Sequence, residues 1–282
     1  MNKRTITLVL MLVLTGLSYG QLDKYKRITP DATRWQMLTY DAENIFKGIL
    51  FSYSRPFHWE QQQWLTFGGV AAGAGILYTF DEHSREFFLN HAEDVPEVIK
   101  NYGWYYGSPQ NNFMLTGAVY ITGLALKNEK LRRTGVLLIT SASAAGFLQQ
   151  LSKTAFGRAR PSSGKDKNDF YPFSSYAGYH SFPSGHTVLA FTNAYAIAKQ
   201  FSNPWVKAGI YTIGLVPGVS RLWADAHWLT DVALGVALSI ATVEAVDKYL
   251  DSKYEEKYND RRNQVSWNFK AGPGTIGVAL IF

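Results

Sequence analysis

The sequence predicts an all-α protein: a bundle of about six core helices, closed by a short C-terminal β-hairpin. Three observations predict it. Apolar segments of helical length alternate with polar connections from residue 31 to residue 250. Hydrophobic residues make up 46% and charged residues only 18%, which excludes a disordered chain and a coiled coil. The pattern turns to strict alternation only after residue 264. There is no cysteine, so disulfides, thiolate nucleophiles, CxxC zinc sites and iron–sulfur clusters are excluded. The net charge is 28 − 22 = +6, with no basic run of the kind that marks a nucleic-acid surface.

The N-terminus opens with Lys3 and Arg4, continues through the apolar stretch Ile6 to Leu17, and places Ser18 and Gly20 at the −3 and −1 positions before Gln21. This is the layout of a secretory signal peptide over residues 1–20, with an uncleaved anchor as the alternative. Either places the following chain outside the cytoplasm.

Asp31 to Tyr53 reads as an amphipathic helix, with Trp35, Leu38, Ile45, Phe46, Ile49 and Leu50 at helical spacing, stopped by Pro56. Leu65 to Phe80 is apolar and carries four glycines. Asp81 to Gly107 is polar and aromatic, and reads as a short helix and a loop. Phe113–Leu126 and Thr134–Leu151 are apolar helices joined by a basic turn, Lys127 to Arg133. Thr187–Ala198, Trp205–Val219 and Leu229–Val246 complete the set. Two arrangements fit these segments: a periplasmic helical bundle, or a bundle in which the last five cross a membrane. In the second, the basic segments lie on the cytoplasmic side and the polar segments after residues 151 and 219 face outward. In the tail, Val265, Trp267 and Phe269 alternate with polar residues, Gly272-Pro273-Gly274 turns, and Ile276, Val278, Leu280 and Phe282 alternate again. That is a hairpin; one hairpin cannot close a barrel.

Three clusters carry chemistry. Lys153, Arg158 and Arg160 precede Pro161 at the end of an apolar helix. They form either a dianion-sized cationic surface or a solvated basic helix end. Pro183-Ser184-Gly185-His186 opens the next helix. Ser184 is an N-cap candidate, Gly185 lets a ligand approach the backbone, and the helix dipole favours an anion. His186 stands at the rim as a proton donor, or is incidental to a capped helix. In Ser220-Arg221-x5-His227-x3-Asp231, the histidine and aspartate share one face of a helix starting near Asp225. A carboxylate on one imidazole nitrogen leaves the other free to attack; a core histidine satisfied by an aspartate has the same spacing. Taken together, the three clusters supply the cations, dipole, nucleophile and acid that phosphoryl transfer needs.

These motifs, K-x6-RP, PSGH and SR-x5-H-x3-D, resemble the three signatures of the type 2 phosphatidic acid phosphatase family, in a superfamily shared with bacterial class A acid phosphatases and vanadium haloperoxidases. The resemblance covers roughly residues 110–250. It implies an α-helical bundle with the site at one end, and no metal or other cofactor. It implies His227 as the nucleophile forming a phosphohistidine, Asp231 as its orienter, and His186 as the acid that protonates the leaving alcohol. Lys153, Arg160, Ser184, Gly185 and Arg221 would hold the phosphate. The expected organisation is a signal peptide over 1–20, N-terminal helices and a connecting loop over 21–110, a catalytic core over 111–250, and a polar linker with the hairpin over 251–282.

The stretch Ala224 to Gly235 looks more like the lipid-phosphatase branch, so the expected substrate is a phosphorylated lipid or isoprenoid met at a membrane surface in the cell envelope, with the site on the periplasmic side and no nucleic-acid partner. A soluble class A-type acid phosphatase is the alternative. A haloperoxidase and a non-enzymatic lipid-binding or scaffold protein are more distant ones. Specificity is expected to lie in Asp81–Asn112 and Ser162–Phe182.

Overall fold

The computed structural model describes residue 28, residues 31–254, and the backbone of two strands at 266–272 and 275–281. The signal-peptide segment and most of the linker before the hairpin lie outside the described residues.

Helix α1 (Arg34–Ser54) starts at a capping box, in which the Thr33 side chain accepts from Gln36 N–H and the Gln36 side chain accepts from Thr33 N–H. It is followed by α2 (Gln61–Thr79) and α3 (Asp81–Asn90). Helix α4 (Glu97–Tyr106) occupies what reads in the sequence as loop. The region 81–107 is therefore two short helices of ten residues each, separated by the turn around Asp94–Pro96. Then come α5 (Pro109–Ala125), α6 (Glu129–Phe156), α7 (Gly185–Ala198), α8 (Pro204–Trp223) and α9 (Leu229–Leu250). Strands β1 (Ser266–Gly272) and β2 (Thr275–Ile281) pair antiparallel, as the alternation predicts.

The bundle is built around α6, which packs on α1, α5, α7 and α9. Small residues set the close approaches. Gly135 of α6 lies against the Tyr120 backbone of α5, and Gly123 of α5 lies against the backbone of Arg132. The core between them contains Tyr120, Val136, Leu137, Leu138, Ala196, Val243, Val246, Leu250 and Tyr254.

Helix α1 keeps part of its expected face, Leu38 and Ile45 packing against the core, but its most deeply buried line is a different one. Met37, Asp41, Asn44 and Gly48 are buried, while Trp35 and Phe46 are exposed. The reason is an ionic core. Asp41 pairs with Arg132 at 2.6 Å and accepts hydroxyl bonds from Tyr254 at 2.7 Å and Tyr120 at 3.1 Å. Once buried, that carboxylate must face its partners, which leaves Trp35 and Phe46 outward and Leu38, Ile45, Ile49 and Leu50 only partly buried. The expected basic turn is also displaced. Helix α6 begins at Glu129, with Asn128 capping Leu131 N–H. Arg132 and Arg133 lie inside it and are buried, Arg133 against Asp247 and Asp251. Charges neutralised in this way cannot set a membrane orientation.

Among the described residues, only α9 is long and apolar enough to cross a membrane, and 44% of its most apolar window is buried inside the protein. By contrast, α2 buries none of its residues. Trp64, Leu65, Phe67 and Ile76 on it are exposed, as are Phe113, Met114 and Ile121 on α5 and Trp205 and Ile213 on α8.

Candidate active site

The three clusters converge at one end of α6 to α9. Helix α6 ends with Lys153 buried in its last turn. Gly157 then takes the left-handed conformation (φ 59°), and a Cβ there would collide with the Tyr171 carbonyl. The residue type is therefore dictated by a sharp exit from the helix. The connection that follows is pinned back on itself, with Ala159 N–H donating to Asp169 O (2.9 Å) and Ser181 N–H to Arg158 O (3.0 Å).

Lys153 Nζ donates to the carbonyl of His180 at 2.6 Å, and Arg160 Nη2 reaches the same carbonyl at 3.4 Å. One peptide oxygen thus gathers two cations of the first cluster. Burial and then the Arg160 charge pull the Lys153 ammonium down to about 8. Arg221, in the last turn of α8, is buried, and burial followed by Arg160 lowers it to about 10. Its guanidinium lies 4.5 Å from the ring centre of Trp104 on α4, a cation–π contact.

Ser184 is the N-cap residue of α7, but its side chain makes no capping bond, which corrects the expected role of that hydroxyl. Its Oγ is buried without a partner, as are Arg160 Nε and His186 Nε2. The Ser184 amide is instead anchored to Asp231 O at 3.1 Å, which joins the second motif to the third through the backbone. Gly185 begins the helix, where a Cβ would stand 3.3 Å from Gln149 Nε2. The first-turn amides and dipole of α7 form an anion-binding end. His186 packs against Gly107 and lies 5.6 Å from the Trp104 ring. Burial and the Arg221 charge depress its imidazole to about 4, opposed by a backbone hydrogen bond with Trp104.

His227 precedes α9 rather than lying on it, because the helix starts at Leu229 with Trp228 as its N-cap. The expected shared helix face is therefore replaced by a cap. Asp231 Oδ2 accepts from Trp228 N–H at 2.9 Å, which bends the chain so that His227 Nδ1 lies 3.7 Å from the same oxygen. Ser181 Oγ donates to Asp231 Oδ2 at 2.5 Å. Arg158 Nη1 donates to Asp231 Oδ1 at 2.8 Å. Burial pushes the Asp231 carboxyl up, but His227, Arg158 and Ser181 outweigh it and hold it below its ordinary value. Burial is also the main cause lowering His227 to about 4.

Arg158 is therefore committed to carboxylates, although it stands between Lys153 and Arg160 in the sequence. Its other Nη donates to Asp81 Oδ2 at 2.7 Å. Asp81, the first residue of α3, also accepts from Thr230 N–H at 2.9 Å and Thr230 Oγ1 at 2.6 Å. Sequence reasoning missed Asp81, Ser181, Thr230 and Trp104. Only Ser181, three residues before Ser184, carried a positional hint. Among the described residues no group of three or more His, Asp or Glu side chains is placed to hold a metal ion.

Residues 134–252 match the profile of the PAP2 superfamily. A lipid A 1-phosphatase of Rhizobium etli is 37% identical over 107 residues, 36% of this chain and 44% of that protein. A lipid A 1-phosphatase of Porphyromonas gingivalis is 30% identical over 180 residues, 62% of this chain and 36% of that protein. The chain thus spans less than half the length of these relatives. The crystal structure of Aquifex aeolicus LpxE superposes with a TM-score of 0.44 at 24% identity, over 58% of this chain and 94% of that one.

Proposed function

For a chain that resembles the PAP2 superfamily over residues 134–252, we propose hydrolysis of a phosphate monoester carried by a lipid, through a phosphohistidine at His227. The observation that carries the reading is the convergence of Lys153, Arg160, Arg221 and the α7 N-terminus on a histidine backed by a buried carboxylate. The cations and amides hold the three non-bridging oxygens. With Nδ1 facing Asp231 and Ser181, Nε2 is the nitrogen left to attack phosphorus. The P–N bond forms as the P–O bond to the leaving alcohol breaks, and His186 gives its proton to that oxygen. A water then attacks phosphorus and returns a proton to His186, the P–N bond breaks, and phosphate leaves. The bound phosphate dianion raises the depressed His186 imidazole, so that it carries the proton it must deliver. Asp231 stabilises the cationic phosphoimidazole.

The lipid class is supported by exposed apolar groups at the rim. Trp104 and Tyr105 follow directly on the α4 glycine that packs against Ser220, and Phe156 is three residues beyond Lys153. The exposed apolar faces of α2, α5 and α8 support contact with a membrane in the cell envelope. Two relatives named lipid A 1-phosphatase favour a phosphorylated glycolipid of that type over an isoprenoid pyrophosphate.

The test is phosphate release by the full chain in EDTA. Parallel samples contain lipid A, a short-chain phosphatidic acid, an isoprenoid pyrophosphate and a soluble aryl phosphate, with His227→Ala as control. Release from lipid A that falls by several orders of magnitude in the variant is the expected result. Release from the aryl phosphate alone moves the protein to the soluble acid phosphatase class. Full activity in His227→Ala refutes the phosphohistidine.

A further inference from the structure

We infer that Asp81 and Arg158 are positioning residues for the reaction, setting the orientation and basicity of His227 through Asp231. The inference rests on His227 being the nucleophile. Its ground is a buried relay whose members come from three parts of the chain. Asp81 lies on α3, outside the stretch that matches the superfamily, yet it is fully buried and has no hydrogen-bonding role that α3 itself requires. Its two oxygens are saturated by Thr230 N–H, Thr230 Oγ1 and Arg158 Nη2. Arg158 spans the gap, one Nη on Asp81 and the other on Thr230 Oγ1 and Asp231 Oδ1, each at 2.7–2.8 Å. Its plane is fixed between aromatic rings, 4.8 Å from the centre of Tyr78 and 5.5 Å from that of Trp228.

Two buried carboxylates on one guanidinium leave a net charge of −1, which a cationic His227 neutralises. Without Asp81, the full charge of Arg158 would act on the Asp231–His227 pair and disfavour the phosphoimidazolium. Without Arg158, two carboxylates would stand uncompensated in the interior. The other charged or titratable groups around His227 are Lys153 at the end of α6, Arg160 in the following loop, His186 on α7 and Arg221 on α8. All of these present positive charge or none. Two further carboxylates stand nearby: Asp225 is neutralised by its bidentate pair with Arg85 beside Trp228, and Asp81 acts through Arg158.

The experiment compares kcat, KM and the pH profile of kcat/KM for Asp81→Asn, Arg158→Gln and the double variant, on the best substrate of wild type, with His227→Ala alongside. Each single variant is expected to lose kcat on the order of ten- to a hundredfold, the usual loss when the support of a working ligand is removed, with KM changed less than threefold. The acid limb moves in opposite directions. Asp81→Asn makes His227 less basic and shifts the limb to lower pH; Arg158→Gln shifts it to higher pH. The double variant restores the charge count and returns the limb toward wild type.

Structural damage alone would lower activity without moving the limb in two directions, so an unmoved limb in both single variants overturns the inference, and either variant alone suffices if the other does not fold. Failure of both to fold assigns the pair to folding and overturns it equally. If wild type releases no phosphate, or His227→Ala retains full activity, the reading of the site has failed. An active wild type with a dead His227→Ala and unmoved limbs leaves that reading standing and removes this inference.

Discussion

His227 is held in a setting that favours its neutral form. Burial lowers its imidazole to about 4, with Lys153 and Arg160 adding to the effect and Asp231 opposing it. If His227 is the nucleophile proposed above, the neutral imidazole is the form that attacks, so competence persists as pH falls through the ordinary histidine range and is lost only when the ring protonates. The acid limb of kcat/KM is therefore expected well below 6.5, and a pH series from 3 to 9 checks it; a limb at 6.5 would place His227 in contact with solvent. Lys153 gives a second reading. Its ammonium, lowered to about 8, loses its proton as pH rises through that value, so phosphate affinity should weaken there, seen as a rise in KM above about pH 8.

The spacing of the three clusters made legible which residues come together, Lys153 and Arg160 on one carbonyl, the N-terminus of α7, and His227 against Asp231. The use of Arg158 was not legible. Arginine reads alike whether it meets a phosphate or a carboxylate, and its partner Asp81 lies 77 residues earlier in the chain.

At the scale of elements, α4 is the surprise. It presses two glycines into the site wall, Gly103 against Ser220 and Gly107 against His186, and lays Trp104 over Arg221. Gly107→Ala would put a Cβ 2.6 Å from His186 Cδ2. The ring or the helix must shift, so kcat should fall on the order of tenfold. Overpacking should cost about 1–3 kcal/mol of stability, measured by thermal melting beside single-substrate kinetics. A change in melting temperature without a change in kcat would mean that α4 is only a cover.

The apolar helices were legible in place because their hydrophobic runs are long, but not in extent: α6 runs Glu129–Phe156, past the expected Thr134–Leu151 at both ends, because its flanking turns are polar. The face that α1 buries was legible in part: Leu38 and Ile45 meet the core as periodicity predicts, but the deepest line follows Asp41, which Arg132 and two tyrosines hold inside. The missed α4 has another root: it is only ten residues long, and its role is set by two glycines and an indole.

Over the whole molecule, polar groups gather inside and apolar ones outside to an unusual degree. Asp41, Asn112, Arg132 and Asp231 are buried while Trp35, Phe57, Trp64 and Trp205 are exposed, Trp205 at 82%. A monomer rarely leaves so much apolar surface in water. The protein is therefore expected to float with lipid vesicles in a density gradient. Replacing Trp64 and Phe67 by Ser should weaken flotation while leaving turnover of a dispersed substrate within twofold, because both are exposed and their ring contacts are with each other and Trp59, away from the Tyr78 end of α2 that meets Arg158. Unchanged flotation would assign membrane contact to α5 or α8.

The bonds from Thr230 and Arg158 to Asp81 also bear on modularity. The stretch that matches the superfamily profile begins well after α3, yet the third side chain of the carboxylate relay arrives from there. Transplanting residues 134–252 onto another scaffold would carry the nucleophile and strand its counter-charge. An engineer seeking a minimal phosphatase would have to graft α3 and α4 as well, and would inherit their aromatic rim with them.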